Sequence, residues 1–503
     1  MSIARKILWN TVAQLIGKAF IAAIGVVIIK LITNYLGKSG YGEYTAAFDY
    51  LALFSIIADL GLYTIGIREM AKDSALIPKI MGNILTLRTI FAILVICVAG
   101  FIAHFIPQYQ NSHIPLAVWL AGAAAFFNLL TSIISAVLQV HLKMEYNSLA
   151  SVIGKIVNLL YMVFVIYFLH PANQDIGFYH LVFAGIVGNG VMLAVTWLYA
   201  RKLTPIRFRF DRDFIRDVVI KALPYGVALI LNTIYFRIGS FSLSILRTKA
   251  EVGVYGVPMR MLEAVGVIPL YFMNAVLPVL TRAINRRDGS HEKIIQYAFD
   301  FLVMGSMPIV MGTFVLSYPI IYLISSPEFL SNRAQGFYGS DAVLPILIFA
   351  LAFSFINSLF GFILVADNRQ MKILTRNAIG ALLTLTLDLT LIPHFGVRAA
   401  AFDNVITEGY VAVASYLIAK RYLKFTIKLK NTLKIAVSAL VMSTMLYLLR
   451  DPTYHYLQNK NVFLLIPLGA LIYIGMLFAT RTITPEMLAL IRKPKSPDLA
   501  IET

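Results

Sequence analysis

Residues 222–284 contain charged side chains within long apolar stretches, where a charge is energetically most costly. The segment reads ALPYGVALILNTIYFRIGSFSLSILRTKAEVGVYGVPMRMLEAVGVIPLYFMNAVLPVLTRAI. It predicts two long apolar helices joined by a short turn, Arg247–Glu251. The first helix carries Arg237 near its middle. The second carries Arg260 and Glu263, three residues apart and therefore on one helix face. Charges at membrane depth are expensive and face a bundle interior or a watery cavity.

These charges have two interpretations. Arg260 and Glu263 form a structural ion pair between neighbouring helices, or Arg260 and Arg237 belong to a cationic binding site in a central cleft. Arg237 has no acidic residue within one helical turn, so a local ion pair explains it less well. At the level of the segment alone both interpretations stay open.

The composition is that of a polytopic membrane protein built from α-helices. Of its 503 residues, 59% are hydrophobic and 14% are charged, with a mean hydropathy of +0.78, whereas a soluble domain has about 25% charged residues. A membrane-spanning helix needs ~20 mostly apolar residues. We predict an all-α protein with about fourteen spans, at 12–32, 44–66, 80–106, 115–140, 148–169, 178–200, 218–246, 252–281, 294–324, 342–366, 373–393, 399–419, 433–449 and 462–480.

The basic residues of the loops predict that both termini are cytoplasmic. With the N-terminus inside, the cytoplasmic segments hold 28 Lys and Arg residues and the outer segments hold 7. The same bias explains the net charge of +18, so we expect no nucleic acid as a partner. The basic start at residues 1–6 precedes a long apolar stretch and is typical of a retained first span rather than a cleaved signal.

The sequence lacks the usual marks of a metal site or an ATPase. A single cysteine, Cys97, excludes an intramolecular disulfide and a cysteine-built metal site. The patterns GxxxxGK[ST] and HExxH do not occur. We therefore expect no metal, no cofactor and no enzymatic activity.

An internal repeat divides the chain into two related halves. GEY at 42–44 matches GVY at 253–255, an offset of 211, and 138–154 matches 364–380. Gly177, Phe183 and Gly190 match Gly396, Phe402 and Gly409. We predict an N-lobe (1–212, spans one to six), a C-lobe (213–430, spans seven to twelve) and an addition at 431–503, comprising two more spans and a disordered cytoplasmic tail. Because six spans is an even number, the two pseudo-symmetric lobes are related by an axis along the membrane normal.

The offset of 211 has a consequence for the charged residues. It places Asp49 of span two opposite Arg260 of span eight, since equivalent helices of related lobes tend to line the same cleft. The alternative is that Asp49 forms hydrogen bonds within its own lobe.

Several motifs follow one another along the chain. They are YLG at 35–37, GYGEY at 40–44, ADLGL at 58–62 with IRE at 67–69, and LIPHFGVRAAA at 391–401. With the order and number of spans, they resemble the polysaccharide-biosynthesis flippases of the multidrug/oligosaccharidyl-lipid/polysaccharide exporter superfamily. That group includes O-antigen flippases and peptidoglycan lipid flippases.

The resemblance implies a V-shaped, two-lobed transporter in the inner, or cytoplasmic, membrane. It would move a polyprenyl-diphosphate-linked oligosaccharide from the cytoplasmic to the outer leaflet by alternating access. It also implies membrane lipids and a polysaccharide polymerase as partners, and H⁺ or Na⁺ as a coupling cation.

In such flippases, basic residues on spans one, two and eight contribute to a cavity that binds the diphosphate and sugar. Lys18 and Arg260 match the positions on spans one and eight. Span two departs from the pattern, because Asp49 and Asp59 lie in its depth and Arg68 lies only at its cytoplasmic end.

We therefore predict a cationic substrate site formed by Lys18, Arg237 and Arg260. Arginine suits the diphosphate because its guanidinium can bind phosphate with two parallel hydrogen bonds. Four acidic residues are candidates for ion coupling or for a charge pair in the cleft, and the sequence does not choose among them: Asp49, Asp59, Glu263 and Asp388.

Two other functions are compatible with parts of the sequence. A multidrug or small-molecule antiporter of the same fold would need a net acidic cavity for organic cations, whereas basic residues are at least as prominent here. A membrane-embedded polymerase or glycosyltransferase would need a large outer loop, and the longest one, Ser325–Asp341, is too short for a domain.

Overall fold

The computed structural model describes residues 3–169, 173–286, 289–332, 334, 336–367 and 369–482. The regular structure within these ranges is helical apart from one isolated bridge between Asn332 and Phe337. The all-α prediction is therefore confirmed. The disordered tail predicted within 431–503 falls on residues outside the described ranges.

Each of the fourteen predicted spans lies on a helix or on two consecutive helices. The helices are α1 (Ile3–Asp59), α2 (Leu62–Lys72), α3 (Ile77–Ala103), α4 (Ile114–Val140), α5 (Met144–Phe164), α6 (Gln174–Ala200), α7 (Arg212–Leu246), α8 (Lys249–Val265), α9 (Val267–Arg286), α10 (Ser290–Ile324), α11 (Ser340–Ala366), α12 (Gln370–Phe395), α13 (Val397–Tyr422), α14 (Lys430–Leu457) and α15 (Val462–Ala479).

Eleven helical stretches of the described residues are long and apolar enough to cross a membrane. Two of them, Ile16–Lys72 and Lys430–Ala479, contain two predicted spans each. The twelfth predicted span, α13, is helical but is not among the eleven, and it carries Arg398, Asp403 and Glu408.

The first two spans form one helical element that is broken at Gly37. This residue has φ +63°, and a Cβ there would lie 2.8 Å from Oε2 of Glu328. Glycine is the residue that adopts a positive φ at no steric cost and leaves space for the close neighbour. The break separates the first span, on residues 3–36, from the second, which begins at Lys38.

The structure corrects three details of the predicted spans. The second span is interrupted at Leu60 and Gly61, and the eighth at Gly266. The turn predicted at Arg247–Glu251 is shorter, because α8 already begins at Lys249. Thr248 Oγ1 accepts a hydrogen bond from the Glu251 amide (3.4 Å). Thr248 thus acts as an N-cap that starts the helix early.

Equivalent turns of the two halves share a local structure. After α4 the Lys143 amide donates to the Leu138 carbonyl (2.8 Å), and after α11 the Arg369 amide donates to the Leu364 carbonyl (2.7 Å). These are corresponding positions of the matched segments 138–154 and 364–380. The shared hydrogen bond supports the internal repeat, whereas the lobe boundaries at 212 and 430 stay a prediction.

The helices pack into two compact units. The first comprises Met1–Arg260, Ile324–Val343 and Leu374–Thr407, and the second comprises Met261–Leu323, Leu344–Ile373 and Glu408–Thr503. In the first unit, buried side chains of α2, α3, α4 and α7 form a continuous apolar core that includes Leu62, Met81 and Val137. In the second, Tyr473 Oη of α15 donates to the Met304 carbonyl of α10 (2.8 Å).

A polar connection anchors the start of α7 in the first unit. Asp211 accepts hydrogen bonds from the Phe214 amide (3.2 Å) and from Lys79 Nζ (2.7 Å). The hydrogen bond from Lys79 is the main cause that lowers the pKa of the Asp211 carboxyl. This N-cap therefore stays ionised and fixes the first turn of α7.

Candidate functional site

The centre of the candidate site is an acid shared by two arginines. Asp49, on the second half of α1, accepts hydrogen bonds at Oδ1 from Arg237 Nη1 of α7 and from Arg260 Nη2 of α8, both at 2.9 Å. The Asp49 side chain is only 5% exposed, whereas those of Arg237 and Arg260 are 21% and 28% exposed. The acid is thus buried, whereas the two arginines that bond to it remain partly exposed.

A third cation lies beside this pair. Lys155 of α5 is close enough to Arg260 for their charges to interact. We call Asp49, Lys155, Arg237 and Arg260 the basic cluster. Its formal charge is +2, from three cations and one carboxylate, and four different helices supply it. An excess of positive charge at membrane depth favours an anionic ligand.

A close helix crossing brings the members of this cluster together. A Cβ on Gly42 of α1 would lie 1.7 Å from the Lys249 carbonyl oxygen and 3.0 Å from the Gly253 amide nitrogen. The backbones of α1 and α8 therefore touch at two glycines that correspond in the repeat. Asp49 and Arg260 each lie seven residues further along their helices, which explains why their side chains meet.

Next to this crossing, on the predicted outer side, a polar chain that starts at one buried acid connects four helices. Glu43 Oε2 lies 2.5 Å from His113 Nδ1, and its Oε1 accepts from Lys249 Nζ. His113 Nε2 lies 2.8 Å from Asp175 Oδ1. Helices α1, α4, α6 and α8 are thereby joined at one end of the first unit.

A pair of buried acids lies deeper in the same unit. Asp388 of α12 and Asp403 of α13 are both 0% exposed. The two carboxyl groups are neighbours, and Ser242 lies beside Asp388. None of the four carboxyl oxygens has a hydrogen-bond partner of good geometry among the described residues. Two buried carboxylates that interact repel each other when both are ionised, and a bound cation or proton would relieve this repulsion.

The other predicted site residues lie in different surroundings. Asp59 bonds to Arg88 of α3, whose side chain is 3% exposed, so this acid belongs to a buried ion pair. Glu263 follows Arg260 by one turn on α8 and belongs to the second unit. Lys18 is exposed on the first half of α1. Measured along α1 at 1.5 Å per residue, Lys18 lies about 28 Å before the break at Gly37, whereas Asp49 lies about 18 Å after it. No contact among the described residues joins Lys18 to the basic cluster.

The structure brings together residues that the sequence left apart. The Asp49–Arg260 contact is the one that the repeat offset predicts, although its role in transport stays a prediction. The bond between Asp49 and Arg237, 188 residues apart, and the position of Lys155 were not foreseen. No spacing rule indicates them, since each partner comes from a separate helix.

The sequence of this chain matches a known protein family. The sequence profile described as polysaccharide biosynthesis protein matches residues 3–284, more than half of the chain. The chain belongs to this family. A second profile, MatE, matches residues 224–390 of the chain. No curated protein sequence matches it.

Solved structures share the fold of this chain at low sequence identity. The lipid II flippase MurJ, in an inward closed conformation, has a TM-score of 0.75 and 15% identity over 92% of this chain and 98% of that chain. An inward-facing multidrug resistance MATE family transporter of the MOP superfamily has a TM-score of 0.61 and 16% identity over 80% and 98%. A MOP superfamily transporter from Pyrococcus furiosus has a TM-score of 0.58 and 15% identity over 83% and 95%. The fold is thus the one seen in these transporters.

Proposed function

We propose that this family member is a flippase in the cytoplasmic membrane, with both termini cytoplasmic. It moves a polyprenyl-diphosphate-linked oligosaccharide to the outer leaflet by alternating access, as part of cell-surface polysaccharide biosynthesis. The observation that carries the proposal is the basic cluster. A diphosphate cannot cross about 30 Å of hydrocarbon unaided, and partly exposed arginines offer charge-assisted hydrogen bonds to its oxygens.

The positive charge of the basic cluster also favours a flippase for an anionic lipid over an exporter of cationic drugs. An organic cation entering the site would meet three positive side chains, and the one carboxylate among them, Asp49, is already bonded to Arg237 and Arg260. Like charges a few ångströms apart repel by several kcal/mol at a dielectric constant of about 20. The cluster therefore favours a lipid diphosphate over a cationic drug.

Binding of polyprenyl diphosphate to the full-length protein in detergent tests the proposal. Arg260→Ala and Arg237→Ala should each weaken binding about 10- to 100-fold, because a hydrogen bond to a charged group contributes about 1.5–3 kcal/mol. Arg286→Ala is the matched control, since Arg286 is exposed at the end of α9 and should leave binding unchanged. Equal affinity of all variants would overturn the proposal.

Protein levels decide between a binding role and a purely structural role for Arg260. Arg260→Ala and Arg260→Gln should accumulate in the membrane near the normal level and lose flipping of a fluorescent polyprenyl-diphosphate saccharide in proteoliposomes. If neither variant accumulates, the arginine is needed for assembly, as in the structural ion-pair interpretation. Expulsion of a cationic dye by the same proteoliposomes would support the drug antiporter instead.

For ion coupling we propose the Asp388–Asp403 pair. Asp49 and Asp59 are bonded to arginines, whereas Asp388 and Asp403 lack a cationic partner in the described residues. Binding of H⁺ or Na⁺ here would relieve the repulsion between two buried carboxylates. Tyr255, whose hydroxyl is close enough to Asp388 and Asp403 to interact with their charges, lies on α8, the helix that carries Arg260.

Proteoliposomes with an imposed H⁺ or Na⁺ gradient test this assignment. Flipping by the wild type should accelerate with one of the two gradients. Asp388→Asn should lose that response while its affinity for polyprenyl diphosphate stays the same. Asp217→Asn is the control, because Asp217 is half exposed and, among the described residues, forms an ion pair with Lys221 alone. A variant Asp388→Asn that still responds to the gradient would contradict the assignment.

A further inference from the structure

A cavity of about 570 Å³ lies in the first unit, next to the basic cluster. Its walls come from the second half of α1 and from α3, α4, α6 and α7. Arg237 belongs to both places, since it lines the cavity and donates to Asp49. A ligand whose anionic group sits at the cluster would therefore have its adjoining part at the mouth of this cavity. The volume lies within the range of about 300–1,000 Å³ that is usual for small-molecule sites.

Three carboxamides supply hydrogen-bonding groups to the cavity. Asn189 donates through Nδ2 to the Ala124 carbonyl (2.9 Å), which leaves its side-chain oxygen as an acceptor. Asn232 accepts at Oδ1 from Asn377 Nδ2 (3.1 Å), which leaves its own N–H groups as donors. Asn128 is exposed to the cavity and has no hydrogen-bond partner among the described residues. The walls thus offer donors and acceptors side by side.

The remaining lining combines neutralised charge with aromatic surface and with aliphatic side chains such as Leu51, Ile56 and Leu129. Asp59 and Arg88 bond to each other, so this pair adds no net charge. The rings of Phe48 and Phe236 also line the cavity, and Phe236 is 44% exposed. Aromatic faces carry partial negative charge and attract the partially positive edges of a ligand. Hydroxyl groups of Ser55 and Ser132 complete the polar part of the wall.

This chemistry disfavours three kinds of occupant. A lipid chain would give no hydrogen-bond partner to Asn128, to the side-chain oxygen of Asn189 or to the side-chain N–H groups of Asn232, at a cost for each polar group that it covers. An organic cation would find that Asp59, the one acidic side chain among the described lining residues, is already bonded to Arg88. A second anion would find that the charge of Arg88 is already neutralised by Asp59. A neutral ligand that carries hydroxyl or amide groups for the carboxamides and C–H faces for the aromatic and aliphatic side chains fits this mixed lining.

We propose that this cavity binds the sugar next to the diphosphate and is the part of the site that selects the glycan. This inference rests on the proposed function, because it takes the basic cluster as the diphosphate site. A site built to hydrogen-bond hydroxyl groups discriminates strongly against a ligand that lacks them. The cavity therefore adds affinity for the glycosylated lipid and none for the bare lipid diphosphate.

The test compares two kinds of ligand on the full-length protein in detergent. One is polyprenyl diphosphate without sugar, and the other is a panel of polyprenyl diphosphates that carry glucose, galactose or N-acetylglucosamine. At least one sugar should raise the affinity above that of the bare lipid. Asn128→Ala should reduce this gain about five- to tenfold, the effect of one lost hydrogen bond, and leave the bare lipid unaffected. Arg260→Ala should weaken both ligands equally.

Two further variants keep the result interpretable. Ala125→Phe fills the cavity from α4 and should abolish the gain from the sugar. Asn34→Ala changes an exposed asparagine of α1 outside the cavity and should behave as the wild type. Unchanged binding of the bare lipid shows that each variant is folded.

The outcomes separate this inference from the proposed function. If the bare lipid binds in an Arg260-dependent way but no sugar raises the affinity, the cavity is not a sugar site and the proposed function stands. The same conclusion follows if Asn128→Ala and Ala125→Phe leave the sugar's gain intact. If the bare lipid does not bind at all, both the proposed function and this inference are refuted.

Discussion

Replacing Asp49 by asparagine should strengthen diphosphate binding and slow transport. In the present structure Asp49 holds Arg237 and Arg260 through one carboxylate oxygen. A diphosphate that uses the same arginines has to approach this negative charge. Asp49→Asn keeps the size and a hydrogen-bond acceptor but removes the charge, so the formal charge of the basic cluster rises by one unit.

The magnitude follows from the geometry. Each arginine nitrogen lies 2.9 Å from Oδ1 of Asp49. A phosphate oxygen on the other side of the guanidinium would lie at a similar distance from it, which puts the two anions about 6 Å apart. At an effective dielectric constant of about 20, unit charges at that distance repel by about 3 kcal/mol. Removing the repulsion raises the affinity by up to about 100-fold, and by roughly tenfold if solvent at the partly exposed arginines screens it.

The assay is titration of the purified full-length protein with polyprenyl diphosphate, together with flipping in proteoliposomes. Asp49→Asn should bind more tightly, and its turnover should fall because release has to overcome the added affinity. The protein without ligand should melt at a lower temperature, because two arginines lose their counter-charge. The control Asp217→Asn should change neither binding nor turnover.

Two results would refute this reasoning. Weaker or unchanged binding by Asp49→Asn would show that the acid does not compete with the diphosphate for the arginines. In a double-mutant cycle with Arg260→Gln, a coupling energy below about 0.5 kcal/mol would show that the two residues act independently.

Three further predictions concern topology, ligand geometry and packing. Reporter fusions after Arg212 should report the cytoplasm and a fusion after Gly339 the outside, and reversal of both would invalidate the predicted orientation. Arg260→Lys should keep only part of the flipping activity, because a lysine cannot make two parallel hydrogen bonds to phosphate; full activity would argue against that geometry. Gly42→Ala should lower the melting temperature strongly, because a Cβ there would lie 1.7 Å from a backbone carbonyl, whereas Gly25→Ala has nothing within 4 Å and should be neutral.

The helix positions could be predicted from the sequence because they depend on local composition. Apolar runs of about 20 residues predict helices long enough to span a membrane. The helix predicted at 399–419 was found as α13, although it is not among the eleven described stretches that are apolar enough to cross a membrane. The Asp49–Arg260 contact was predictable for a different reason, since the repeat converts a sequence offset into a spatial relation. Both predictions need only the order of residues in the sequence, either as local composition or as the spacing of a repeat.

The remaining features depend on contacts between distant segments. Arg237 is on α7 and its partner Asp49 on α1, so the search for an acid within one turn could not find it. Lys155 comes close to Arg260 only through the packing of α5 in the first unit. The interruption at Leu60 and Gly61 was missed because the apolar run continues through it. A membrane span is recognised by hydropathy, which carries no information about backbone breaks.

The contact between Gly42 and Gly253 bears on the ancestry of the chain. If both halves descend from a half-length protein that paired with its own copy, a twofold axis through the crossing would place each residue opposite its own duplicate. Glycine tolerates such self-matching. The position seven residues further along does not, because two aspartates or two arginines facing each other repel. Joining the copies in a single polypeptide lets the two positions mutate separately, and here one has become Asp49 and the other Arg260. Gene fusion thus allows opposite charges at symmetry-related positions, which an identical pair of subunits cannot encode.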